Sequence, residues 1–313
     1  MKKKKEILFI AGHNGMVGRS LVRFFNKKKK YKIIKVNKKN LDLRNKKLVY
    51  SWFKKNKPGI VINAAGKVGG IIANSTNTID FLNDNVEIGL NLLNAANNYG
   101  VKKFINIGSS CIYPKLSKQP IKENYLLSGK LEETNKCYAL AKILVVQLCK
   151  EYNVKNKKNF ISIMPTNLYG PFDNYEEFSS HVLAALIKKI YLAKKYGEKS
   201  VEIFGNGKPK REFLYVDDLS KAIYLLLIKR TNYEVINIGS GEEVSIIGLA
   251  KKISKIVNYK GKFVFNQSKP NGTPRKLLNS KIINSLGWKP KTLLNKGLKK
   301  TLKAFKKDYL ENY

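Results

Sequence analysis

Ile7-Leu8-Phe9-Ile10-Ala11 runs directly into Gly12-His13-Asn14-Gly15-Met16-Val17-Gly18, after which Val17, Leu21, Phe24 and Phe25 recur at helical spacing. An apolar run, a glycine turn and an amphipathic run predict strand, turn and helix over residues 7–25. In that setting GxxGxxG carries chemistry. Glycines permit the tight turn, let backbone N–H groups approach a pyrophosphate and bring helix close to strand, while the helix N-terminus favours negative charge. Three glycines in an ordinary loop would leave the strand before them and the helix after them unexplained.

Working outward, Ile33 to Val36 and Ile60 to Asn63 repeat the strand signal, with Leu48 to Phe53 helical between them. Asp80 to Tyr99 sets Phe81, Leu82, Val86, Leu90, Leu93 and Ala96 on one helical stripe that ends at Gly100. Strands at Phe104 to Ile107 and Ile161 to Met164 flank a helix over Tyr138 to Tyr152. This alternation predicts an α/β fold with a Rossmann doubly wound parallel sheet. After Pro165 to Pro171 the pattern is mixed. Helices are expected near His181 to Tyr196, Asp217 to Ile228 and Ser245 to Val257, and strands near Val201 to Phe204 and Val235 to Ile238. The turn-rich run Lys269 to Arg275 and two late helices would cap the carboxyl edge of the sheet. The expected division is a dinucleotide-binding domain over 1–165, with 212–242 returning to it, and a smaller C-terminal α/β substrate-binding domain over 166–211 and 243–313.

The chain has 313 residues, 43% of them apolar, enough for two cores. The basic start Met1 to Lys5 precedes too short an apolar run for a secretory signal, and the seven residues Ala222 to Ile228 cannot span a bilayer. A cytoplasmic location without membrane attachment is expected. Cys111, Cys137 and Cys149 are odd in number and lack CxxC spacing, so neither a disulfide framework nor a metal site is indicated. The 61 Lys and Arg against 22 Asp and Glu leave a net charge of +39. These lysines are dispersed along the whole chain with abundant Asn and Ile, a compositional bias that predicts only non-specific attraction to nucleic acid. The same field favours a small substrate bearing phosphates.

Cofactor choice turns on the end of the second strand, where an NAD enzyme usually places Asp or Glu against the ribose hydroxyls. Here stand Val36, Asn37, Lys38 and Lys39, which favours NADP(H), with Lys38 toward the 2′-phosphate. Asp42, a few residues on, could address the adenine amine. A second constellation joins Gly108-Ser109-Ser110-Cys111, just past a strand, to Tyr138-Ala139-Leu140-Ala141-Lys142. The i, i+4 spacing puts phenol and ammonium on one helical face, where the ammonium is expected to lower the phenol's pKa and let it pass a proton to a carbonyl oxygen. Ser109 would hydrogen-bond that oxygen.

With these residues the chain resembles the extended short-chain dehydrogenase/reductase family over nearly its full length. Within it the likeness is to members that epimerise and then reduce a 4-keto-6-deoxy sugar nucleotide. It is carried further by Lys67-Val68-Gly69-Gly70-Ile71, Gly108 to Lys115 (GSSCIYPK), Met164 to Pro171 (MPTNLYGP), Arg211-Glu212-Phe213 and Ser268 to Leu278 (SKPNGTPRKLL). The resemblance implies that GDP-4-keto-6-deoxymannose loses and regains protons at C3 and C5, and that C4 is then reduced by NADPH. It matches Ser109, Tyr138 and Lys142 to the reductase triad, and Cys111 and His181 to the epimerising pair. It implies a cofactor surface of Gly12 to Gly18, Lys38, Asp42, Ile107, Gly108, Ser109, Ser110, Lys142, Pro165, Thr166, Asn167, Leu168 and His181, and sugar-nucleotide contacts at Lys189, Phe204, Arg211 and Asn279. Where the family carries Arg, Trp and Asp, this chain has Lys189, Phe204 and Asn279, and Asn14 stands where a 2′-phosphate-binding Arg is expected. A homodimer through the Asp80 to Tyr99 and Tyr138 to Tyr152 helices is implied as well. Two other readings stay open: a 4-epimerase that retains NAD, and a basic nucleic-acid-binding protein on a Rossmann scaffold.

Overall fold

In the computed structural model, which describes residues 5–308, the glycine turn joins strand β1 (Glu6–Ala11) to helix α1 (Met16–Asn26). The first four residues of the basic start and the outer ends of the expected domain ranges, 1–4 and 309–313, lie outside the described residues. The chain continues through β2 (Tyr31–Ile34), α2 (Lys46–Asn56), β3 (Ile60–Asn63), the short α3 (Ile71–Thr76), α4 (Thr78–Asn98), β4 (Lys103–Ile107), α5 (Lys136–Asn156) and β5 (Phe160–Pro165). Then come β6 (Asn167–Tyr169), α6 (Val182–Lys195), β7 (Ser200–Phe204), β8 (Lys210–Tyr215), α7 (Val216–Ile228) and β9 (Val235–Ile238). The last elements are β10 (Glu243–Ser245), α8 (Ile246–Val257), β11 (Lys262–Asn266), β12 (Arg275–Lys276), α9 (Lys281–Ser285) and α10 (Leu294–Asp308).

Six parallel strands form the main sheet in the order β2-β1-β3-β4-β5-β9. The direction of winding reverses between β1 and β3, and a ligand site is expected outside the carboxyl ends of the strands at such a point. Because both faces are covered, β3 and β5 are buried at every position. On one face Leu21 and Phe25 of α1 and Leu219 and Ile223 of α7 share a core with Ile283 of α9 and with Trp288. On the other, Val49 and Phe53 of α2, Leu92 and Leu93 of α4 and Val145 and Cys149 of α5 pack together. Helices α4 and α5 approach closely at Gly89, where a Cβ would collide with the side chain of Val145.

The smaller sheets carry a second core. Strand β8 pairs with β6, β10 and β12, and β7 pairs with β11. Leu183 and Ile187 of α6, Leu249 and Ile253 of α8 and Phe305 of α10 pack together with Phe213 of β8. The chain re-enters the large sheet with α7 and β9, after β8. Glu212 of β8 is fully buried and accepts N–H groups from Gly241 (2.7 Å) and Leu278 (3.0 Å), fastening β8 to the segment that follows β12.

Several expectations are corrected. The second strand lies at Tyr31–Ile34 instead of Ile33 to Val36, anchored by the edge-on packing of Tyr31 against Phe25 at 5.4 Å. The stripe expected on α4 splits: Phe81, Leu93 and Ala96 are buried, whereas Leu82, Val86 and Leu90 are half-exposed on the outer side, because Asn85 and Gly89 occupy the inner one. The late helices do not form a common cap, since α9 joins the main core and α10 the second one. Strands β6, β8, β10, β11 and β12 were not legible; β8, with the sequence KREFLY, opens on charges and lacks strict alternation. Among the described residues no helix is long and apolar enough to cross a membrane.

Candidate active site

At the carboxyl end of β1 the backbone of Gly12 adopts φ +76°, and a Cβ there would lie 2.5 Å from the Ala64 carbonyl oxygen. A Cβ on Gly18 would strike the Gly12 carbonyl, so this glycine allows the close contact of helix and strand. Helix α1 begins after Gly15 with no side chain capping it. The orphan N–H groups of its first turn therefore remain for an anion at the positive end of the helix. Gly12 to Val17 line a cavity of about 1340 Å³. A pyrophosphate fits this cradle because the residues that would obstruct it are glycines.

Beyond the turn, Asn14 Nδ2 donates to Asn37 Oδ1 at 3.0 Å, and Lys38 lines the cavity with its side chain exposed. Asp42 also lines it, but its carboxylate is taken up by Arg44 at 2.6 Å, and Arg44 reaches Asp84 at 3.0 Å. The hydrogen bond from Arg44 holds the Asp42 carboxyl down at about 2. Its charge is thus offset by Arg44, while Asp42 keeps its place on the cavity lining. The imidazole of His13 is lowered by burial and by nearby Lys35.

The reacting groups gather past β4. Ser109 Oγ accepts the Cys111 N–H at 3.2 Å, fixing a tight turn that brings hydroxyl and thiol to the same cavity. Tyr138 stands in the first turn of α5 with Lys142 one turn on, its Nζ 5.6 Å from the phenol ring centroid. The ammonium lies against Gly66, where a Cβ would come within 3.2 Å of Nζ. Burial lowers Lys142 to about 8. The expectation that Lys142 depresses the phenol is corrected: burial pushes Tyr138 above its usual range, the neighbouring Cys111 adds to this, and the Ser109 hydroxyl opposes it. Desolvation dominates because the phenolate would have to form away from water. His181 immediately precedes α6 and lines the cavity; its side chain stays accessible from the cavity, while the protein atoms crowded around the ring lower its imidazole through desolvation.

The same cavity takes in Ile107, Gly108, Ser110, Pro165, Thr166, Asn167 and Leu168 on the floor and Lys189, Phe204 and Arg211 farther out. Lys189 Nζ stands 4.5 Å from the centroid of the Phe204 ring. Gly18 lies behind the cavity wall as a packing residue. Asn279 is outside: its Oδ1 accepts the Lys281 N–H at 3.0 Å, and it faces a separate hollow beside Glu243 and Lys252. The reason is the fastening of Leu278 to Glu212, which carries the chain away from the cavity within three residues of Lys276. Sequence reading missed Arg44, Asn135 and Lys276, all of which line the cavity. The last two each come within 3.6 Å of Cys111 Sγ. Lys276 fell inside the segment Ser268 to Leu278 but was one lysine among many. Among the described residues no cluster of His, Cys, Asp and Glu could hold a metal ion.

A glycine cradle at the switch point, a half-buried Tyr and a buried Lys one turn apart and a serine in reach define a dinucleotide-dependent enzyme site, and a family model matches residues 8–239: the NAD dependent epimerase/dehydratase family. The chain belongs to that family. A GDP-L-fucose synthase of Sinorhizobium fredii is 46% identical over 305 residues, covering 97% of each chain. The crystal structure of a GDP-L-fucose synthetase from Naegleria fowleri bound to NADP superposes with a TM-score of 0.90 at 30% identity, over 99% of this chain and 97% of that one. A GDP-6-OMe-4-keto-L-xylo-heptose reductase from C. jejuni gives a TM-score of 0.91 at 34% identity, over 97% of this chain and 98% of that one. This epimerase/dehydratase family member therefore has relatives that act on GDP-sugars, some named for synthesis and some for reduction.

Proposed function

We propose that the chain makes GDP-L-fucose from GDP-4-keto-6-deoxy-D-mannose, by epimerisation at C3 and C5 followed by NADPH-dependent reduction of the C4 ketone. The observation that carries this reading is a single cavity that joins the glycine cradle to Ser109, Cys111, Tyr138, Lys142 and His181 and continues to the cations Lys189 and Arg211. The full-length relative named GDP-L-fucose synthase supports the choice of sugar.

NADPH, when bound, supplies a hydride to C4. Tyr138, kept protonated by burial, gives its proton to the C4 oxygen, and Ser109 donates a hydrogen bond to the same oxygen. Lys142 offsets the charge left on the phenol. In the epimerisation, Cys111 takes a proton from the carbon beside the ketone, and His181 returns one on the opposite face. Because desolvation by the surrounding protein lowers its imidazole, a proton held by His181 passes readily to carbon. Lys189 and Arg211 face the diphosphate, with Phe204 beside the guanine.

Supplying GDP-4-keto-6-deoxymannose with NADPH and identifying the product by NMR tests the proposal. GDP-L-fucose is expected; a reduced sugar with C3 and C5 unchanged would make the chain a C4 reductase only. NADPH is expected to exceed NADH in kcat/KM by about tenfold, the effect of one charge-assisted hydrogen bond to the 2′-phosphate. Lys38 is the donor assigned here, with Asp42 neutralised by Arg44. A higher kcat/KM with NADH would sink that assignment.

We place the dinucleotide-binding part at 5–165 and 216–242 and the sugar-binding part at 166–215 and 243–308; the return begins at Val216 and not at the expected residue 212 because β8 pairs with β6, β10 and β12. A homodimer through α4 and α5 fits the apolar side chains left on their outer faces, Ile79, Leu82, Val86 and Leu90 on one and Leu140 and Leu144 on the other. A cytoplasmic location fits the three free thiols.

A further inference from the structure

Strand β12 runs parallel to β8 and sets Lys276 beside Arg211 and Arg275 beside Lys210. Like charges on neighbouring strands repel unless an anion offsets them. Arg275 and Lys210 are answered by Glu243, at 2.7 Å and 3.6 Å. Among the described residues Lys276 has no carboxylate partner. Its Nζ instead stands 3.6 Å from Cys111 Sγ. Asn135 Nδ2, from the segment before α5, reaches the same sulfur at 3.6 Å. The sulfur thus receives two donors from two separate elements.

The remaining groups around the thiol leave that balance positive. Arg211 of β8 lies near enough to feel charge on the sulfur, and its guanidinium also donates to the carbonyls of Lys210 and Asn271. Glu132, from the same segment as Asn135, is paired with Lys115 at 3.1 Å, which offsets its charge. Tyr138 of α5 is neutral because burial holds its proton, and His181, whose imidazole is lowered, adds no negative charge with or without its proton.

We propose that Lys276 is a positioning residue that holds the reactive sulfur of Cys111 through its N–H contact, with Asn135 orienting it toward the cavity. An ammonium beside a thiol favours the charged, reactive form, and a charge-assisted N–H to sulfur fixes its direction. The inference builds on the reading of Cys111 as the base. In that step the C–H bond at C3 or C5 breaks and an S–H bond forms. The electron pair moves onto the C4 oxygen, and Lys276 keeps its proton throughout.

The test is alkylation by iodoacetamide, a neutral probe, with the Cys111 peptide followed by mass spectrometry. In Lys276→Met the rate at pH 7 is expected to fall by about tenfold, the effect of removing one adjacent opposite charge. The deficit should narrow as the pH is raised. Lys276→Arg keeps the charge and is expected to retain most of the rate. Deuterium exchange at C3 and C5 in heavy water without NADPH, read on the same proteins, should fall in parallel. A Lys276→Met protein that alkylates at the wild-type rate across the pH range overturns the proposal, as does a Lys276→Arg protein as slow as Lys276→Met. Slowed alkylation with undiminished exchange upholds the pairing and removes Cys111 from proton transfer, so the two readings fail separately.

Discussion

Tyr138→Phe is expected to lower kcat for the reduction by about three orders of magnitude while leaving NADPH and substrate binding near wild type. The ring is retained, with its edge-to-face contact to Phe81 at 6.3 Å, so packing in the first turn of α5 is preserved. What is lost is the proton that neutralises charge on the C4 oxygen as it develops, and general-acid assistance with its hydrogen bond accounts for a factor of that order. Since burial lowers Lys142 to about 8, its ammonium form declines as the pH rises through that value. The wild-type reduction rate is therefore expected to fall over the same interval. Single-turnover absorbance of NADPH at 340 nm reads both effects; near-wild-type turnover in Tyr138→Phe would show that another group supplies the proton.

Cys111→Ser should separate the two halves of the reaction. A hydroxyl is far less acidic than a thiol, so carbanion formation fails while Ser109, Tyr138 and Lys142 are untouched. In heavy water without NADPH, the wild-type protein is expected to exchange hydrogen for deuterium at C3 and C5, and the variant to do so at least a hundredfold more slowly. With NADPH present the variant should slowly reduce the unepimerised ketone to a 6-deoxy sugar nucleotide of unchanged C3 and C5 configuration. Exchange at the wild-type rate would leave His181 as the base.

The parts of this fold that could be read in the sequence are those whose local pattern matches their tertiary fate. Residues 7–25 are apolar, then glycine, then amphipathic, and each piece takes the form its spacing predicts. Tyr138 and Lys142 were found because i, i+4 spacing survives from sequence to helix. Strand β8 failed that test: KREFLY is a strand because β6, β10 and β12 flank it, a condition no local window contains. Asn279 failed for a related reason, since its orientation is decided by the fastening of Leu278 to Glu212, 66 positions away. Lys276 and Asn135 were hidden differently. Nothing about a lysine among 61 basic residues marks it out until the fold sets it beside a sulfur. The direction of the Tyr138 shift was also beyond sequence, because depth of burial and not spacing decides it.

The main-sheet core is completed from the far end of the chain. Ile283 and Trp288 fill it beside Leu219 and Ile223, the Trp288 indole donates to the Asp218 carbonyl at 3.2 Å, and Asp218 Oδ2 in turn accepts the Thr292 N–H at 2.8 Å. Modular exchange between relatives is constrained by this seam. A chimera that took its last seventy or so residues from a relative with a different sugar preference would import a foreign plug into the nucleotide-binding half. Sugar specificity in such a protein can therefore drift by single substitutions along the cavity wall more freely than by recombination of whole segments.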